Sequence, residues 1–90
     1  MQDGLTEIQF QILDSIYFVE PFARILEEVE ASTAIVADEL RTLIDKGWVQ
    51  VMAFDVKEND YLRTLYYDTD HMEEFAYLAT KEGLLKHNGY

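Results

Sequence analysis

The stretch that decides the fold is residues 32–54, STAIVADELRTLIDKGWVQVMAF. Val36, Leu40, Leu43 and Ile44 recur at helical spacing, with Ile35 beside them. One side of the rod is therefore apolar. The other side, on this spacing, presents Thr33, Ala34, Ala37, Asp38, Arg41, Thr42 and Asp45. Ser32 or Thr33 supplies a side-chain oxygen for the unpaired amides of the first turn. Gly47 stands where a left-handed residue ends a helix, and Lys46 faces the negative end of its dipole. Residues 48–54 (WVQVMAF) follow at once, short, β-branched and aromatic, and predict a strand. Residues 55–60 form its polar turn.

Upstream, Thr6-Glu7-Ile8-Gln9 has the pattern of a capping box, in which the Thr6 hydroxyl and the Gln9 side chain satisfy each other's amides. Leu5 and Phe10 are placed to staple it. Ile8, Ile12, Ile16 and Val19, widened by Leu13, predict a helix over about residues 6–18. Phe10 and Tyr17 lie off that stripe, so the helix carries a second bulky face. Pro21 suits the first turn of another helix, where its missing N–H is not needed. Phe22, Ile25, Leu26 and Val29 continue it to about residue 29, leaving room only for a tight turn before Ser32.

Downstream the periods overlap. Residues 61–67 (YLRTLYY) are aromatic enough for a strand, yet Tyr61, Leu62, Leu65 and Tyr66 also suit a helical period. Asp70 could cap a long final helix, at a cost of about 1 kcal/mol for Gly83 inside it. The preferred alternative makes residues 75–79 a strand, with Thr80 capping a short last helix and Glu82 in its first turn. Whether residues 61–67 or 75–79 form the second strand stays open at this level.

Length and composition bound the rest. Ninety residues, 49% hydrophobic and 13% aromatic, make one domain with one core and argue against disorder. Eighteen acids against seven bases leave a net charge of −11, which excludes a wholly basic surface and indiscriminate nucleic-acid binding. There is no cysteine, hence no disulfide framework or zinc ribbon, and a cytoplasmic home is expected. The opening residues lack the basic and apolar regions of a signal peptide, and no membrane association is expected.

Three helices, the second and third joined by a tight turn, followed by a β-hairpin and a last helix, describe an α+β chain of the winged helix-turn-helix kind. Leu5-Thr6, Gln9 and Ile12-Leu13 resemble the opening helix of MarR-type winged-helix regulators. Val36, Leu40, Leu43, Lys46-Gly47 and Val49 are similar to the end of their recognition helix and first wing strand. Residues 77–85 (YLATKEGLL) resemble the stretch that closes their wing. The resemblance spans most of the chain and implies a small dimeric transcriptional regulator that offers the third helix to double-stranded DNA. The chain departs from that family at the wing tip, which is acidic where basic residues are usual, and in a wing lengthened by an insertion. The long flanking helices of the family dimer are absent or shortened, leaving the first helix or the C-terminal region to carry a homodimer.

Under that resemblance the candidate DNA-binding residues are Ser32, Thr33, Ala37, Arg41 and Thr42 on the third helix, with Lys57 and Arg63 reaching from the wing. Arg41 has a second possibility, an ion pair with Asp45 on a solvated helix face. The acidic balance supports another role, an interaction module that docks a basic protein or mimics DNA. The crowded aromatics Tyr61, Tyr66, Tyr67, Phe75 and Tyr77 would pack the wing and leave some surface for a partner. Asp68-Thr69-Asp70-His71, then Glu73 and Glu74, raises a metal site but fails the EF-hand template, with Glu73 where glycine is needed and Ala79 at the last ligand position. His71 and His87 lack zinc spacing. Without a nucleophile elbow, a phosphate-cradling loop or paired carboxylates in an apolar setting, neither an enzyme nor a cofactor is expected.

Overall fold

The computed structural model describes residues 5–89 as an α+β unit. Its elements in chain order are α1 (Glu7–Ser15), β1 (Glu20–Pro21), α2 (Phe22–Glu28), α3 (Thr33–Asp45), β2 (Val49–Asp55), β3 (Asp60–Thr64), a 3-10 turn (Met72–Glu74), β4 (Ala76–Ala79) and α4 (Lys81–His87). The strands form one antiparallel sheet in the order β1-β4-β2-β3. Among the described residues no helix is long and apolar enough to cross a membrane.

The helix ends follow the local chemistry. Thr6 Oγ1 accepts from the Gln9 amide at 3.2 Å while Gln9 Oε1 accepts from the Thr6 amide at 3.1 Å, closing the capping box. Ser32 and Thr80 cap α3 and α4 through the amides of Ile35 and Gly83. Gly47 takes a φ of 80°, the left-handed value that glycine adopts without strain, and turns the chain from α3 into β2. Asn59 does the same at φ 54° in the turn between β2 and β3.

The first helix stops earlier than its apolar period indicates, at Ser15, with Ile16 as C-cap. Ile16 is nevertheless fully buried, and its carbonyl accepts from the Ala79 amide at 3.0 Å, so the chain leaves the helix to meet the sheet. Pro21 is the N-cap of α2 as well as the end of β1, which pairs Glu20 with Tyr77 and Pro21 with Ala76. That strand is too short to leave a period in the sequence.

Both candidate second strands exist. β3 pairs with one edge of β2, matching Val51 to Thr64 and Asp55 to Asp60, while β4 pairs with the other, matching Val49 to Ala79 and Met52 to Ala76. The aromatic run leaves the strand at Thr64. Residues 65–75 then carry the chain across, and Asp70 caps no long helix because only the 3-10 turn forms there.

The core lies between α1, α2, α3 and one face of the sheet. Ile12, Leu13, Ile16, Ile25, Val36, Leu40, Leu43, Met72 and Tyr77 are its largest fully buried side chains. The second face of α1 is met by α4: the Phe10 and His87 rings stack at 4.3 Å, and the Tyr17 hydroxyl lies 2.7 Å from His87 Nδ1. His87 Nε2 is 3.0 Å from Asp14 Oδ1 but out of line for an N–H bond. The two regions expected to carry a homodimer thus pack on each other.

Candidate functional site

The outer flank of α3 is the surface on which the sequence places a function. Ser32, Thr33 and Ala34 are exposed at its first turn, followed along the flank by Asp38, Thr42 and Asp45. Ala37 is not among them. It is buried in the core, because α3 packs on both α1 and β2 and needs a wider apolar stripe than four residues supply. Thr42 donates its hydroxyl to the Asp38 carbonyl at 3.2 Å, a bond within the helix.

Arg41 is engaged by its own chain. Its Nη1 donates to Asp38 Oδ1 at 2.7 Å, and its Nε and Nη2 both donate to the Thr69 carbonyl, at 3.0 and 2.6 Å. The ion pair expected with Asp45 is therefore replaced by one with Asp38. A guanidinium presents its donors as a planar fork, and here the fork closes on a carbonyl oxygen from the loop after β3.

That contact sets the loop beside α3. In the loop, Asp68 Oδ1 accepts from the Asp70 amide at 2.9 Å, and His71 Nδ1 lies 2.6 Å from Asp68 Oδ2. These bonds, the backbone amide first, hold the Asp68 carboxyl below its ordinary range, and the carboxylate raises His71 above its own. Tyr67 half-buries itself between the loop and α3, its phenol pushed up by burial and then by Asp45. Asp38 and Asp45 are exposed on α3, and Asp68, Asp70, Glu73 and Glu74 are exposed on the loop tied to it by Arg41, whose 3-10 turn packs on α2. Among the described residues no three histidine, aspartate or glutamate side chains gather closely enough to hold a metal ion.

The other bases are scattered. Lys46 and Lys86 both lie over the Trp48 ring, at 5.0 and 5.3 Å from its centre, a cation–π arrangement within the chain. Lys57 is exposed in the turn between β2 and β3. Arg63 is exposed on β3 and, with Ile44, Val51, Leu65 and Tyr67, lines a groove of about 210 Å³ beside the end of α3. The loop from Tyr67 to Glu74 is the part of this surface that sequence reasoning missed as a partner of α3. No periodic pattern marks it.

Comparison with protein families, with curated proteins and with solved structures finds no match to this chain.

Proposed function

We propose that this chain is a winged-helix protein-interaction module whose acidic α3 flank and adjoining loop dock a basic partner. The order α1-β1-α2-α3-β2, closed by β4 against both β1 and β2, supports the winged-helix assignment, with β3 as an added strand in the wing. One observation carries the choice of partner: Arg41, the base centred on the α3 flank, is committed to Asp38 and to the Thr69 carbonyl. Three of its five N–H donors are thereby engaged, so contact with guanine or phosphate competes with these bonds, while the same clamp holds the acid-bearing loop to α3 next to Asp38. A polyanion approaching this region meets carboxylates. A lysine- or arginine-rich segment meets complementary charge, which speeds encounter and selects the partner.

A DNA-binding regulator of the MarR-like kind is the second reading. The exposed first turn of α3, with Ser32 and Thr33 at a helix N-terminus, favours it, as do exposed Lys57 and Arg63 on the wing. Titration of the protein against mixed duplex DNA and against a lysine-rich peptide, at about 50 mM salt where phosphate contacts are strongest, separates the two. The interaction module gives no DNA shift at high micromolar protein. It binds the peptide with an affinity that falls with salt and with Asp38→Asn plus Asp45→Asn. Tight duplex binding lost in Arg41→Ala, with no peptide binding, would reverse the assignment.

A further inference from the structure

The two edges of the sheet are built differently. At one end β1 is two residues long and contains Pro21, which has no amide to offer a neighbour. Short edge strands and edge prolines are the usual protection against unwanted pairing. At the other end β3 runs for five residues, Asp60–Thr64, without proline, and among the described residues pairs only with β2. Around it stand large apolar side chains in water: Leu62, Leu65 and Tyr66, the last two 77% and 88% exposed. Among the described residues one β3 amide, that of Tyr61, meets a side chain, its neighbour Asp60, at 2.8 Å.

We propose that β3 is the pairing edge for a second copy of this chain, joining two sheets across a two-fold axis at Leu62. The residue sequence of the strand is self-complementary in that register. Leu62 meets Leu62 of the second copy, Tyr61 meets its Arg63, and Asp60 meets its Thr64. No like charges are opposed. The Tyr61–Arg63 contact occurs twice, each time as a cation beside a ring that already packs edge to face with Phe54, the centroids 5.3 Å apart. Charge also permits this approach. The chain carries −11, but the hairpin from Phe54 to Tyr66 holds three acids against two bases and is nearly neutral. Two copies therefore meet there with little net charge to oppose them. The pairing extends the sheet on the side away from β1 and is independent of what the α3 flank binds.

The chain has no cysteine, so one engineered thiol reports the register. In air oxidation of the full-length protein, Leu62→Cys is expected to form a disulfide dimer at least tenfold faster than Leu65→Cys, although Leu65 is the more exposed. Sedimentation of the wild type should show a dimer that appears with rising micromolar concentration. Arg63→Asp, which replaces the cation facing Tyr61 with a carboxylate and leaves each hairpin with four acids against one base, should return it to monomer with an unchanged far-UV spectrum, and Phe18→Ser, an exposed site off this edge, should not. A wild type that stays monomeric at high concentration overturns the proposal, as does equal cross-linking of the two cysteine variants. A dimer unaffected by Arg63→Asp, or a foreign extended peptide binding β3 while the chain itself remains monomeric, overturns it as well.

Discussion

The guanidinium of Arg41 grips the carbonyl of Thr69 twice, through Nε at 3.0 Å and Nη2 at 2.6 Å, across 28 residues of sequence. A charged donor fork on a neutral carbonyl is stronger than a hydrogen bond from a neutral amide, and it fixes the path of the loop after β3 over the flank of α3. The side chain remains 34% exposed, with three of its N–H donors engaged by its own chain.

Removing the fork should loosen that loop first. Arg41→Ala is expected to cost about 1 kcal/mol, since hydrogen bonds to charged groups contribute about 1.5–3 kcal/mol and this one is partly screened by solvent. Hydrogen exchange should quicken at the Asp70 and His71 amides with the core unchanged. Arg41→Lys should resemble the alanine variant, because an ammonium cannot make two bonds to one carbonyl in this geometry. Unaltered exchange in both variants would contradict the clamp.

The Asp68–His71 pair gives the loop a pH dependence. His71 is raised by Asp68, so its contribution is complete below its usual value near 6.5 and fades as pH climbs through the raised one. Asp68 is lowered, so its contribution is complete above the usual carboxylate value near 4 and fades as pH falls through the lowered one. The loop is best held between about pH 4 and pH 6.5. In proton NMR titrations His71 should titrate above its ordinary value and drop back in Asp68→Asn. An identical titration in the two proteins would remove the pair.

Gly83 is held against Trp48. A Cβ built at Gly83 would lie 2.0 Å from the Trp48 carbonyl oxygen, which also accepts from the Thr80 amide. In an isolated helix Gly83→Ala would gain about 1 kcal/mol, whereas here the backbone of β2's approach must give way, at a cost of about 1–3 kcal/mol. Chemical denaturation should show a net loss, and a more stable variant would refute the close approach.

Tyr77 is buried, and its hydroxyl donates to the Met72 carbonyl at 2.8 Å. Tyr77→Phe keeps the ring and leaves that carbonyl with the Phe75 amide alone, which should cost about 0.5–1.5 kcal/mol. Burial also drives the phenol far up, so an ultraviolet titration should leave Tyr77 neutral well into the alkaline range. Equal stability of the phenylalanine variant would show the bond to be dispensable.

Sequence and structure agree most closely where the deciding energies are local. The Thr6–Gln9 capping box, the caps Ser32 and Thr80 and the reversal at Gly47 involve partners within about one helical turn, so the residue types alone specify them. The same holds for the Val36, Leu40 and Leu43 stripe. Ala37 shows the limit of that logic, since the width of a buried stripe depends on how many elements pack on it.

The amino-acid order by itself thus determined the first three helices, the caps that start α1 and α3, the strand after Gly47 and the acidic balance that any partner must meet. Tertiary structure alone decided that β3 and β4 take opposite edges of β2, that Arg41 turns to Thr69 rather than Asp45, and that Phe10 and Tyr17 are closed over by His87, 70 residues beyond Tyr17. Short aromatic segments satisfy a strand and a helix period about equally, and an exposed guanidinium has several acceptors within reach. What selects among them is a partner delivered by distant chain, whose position depends on packing the whole core.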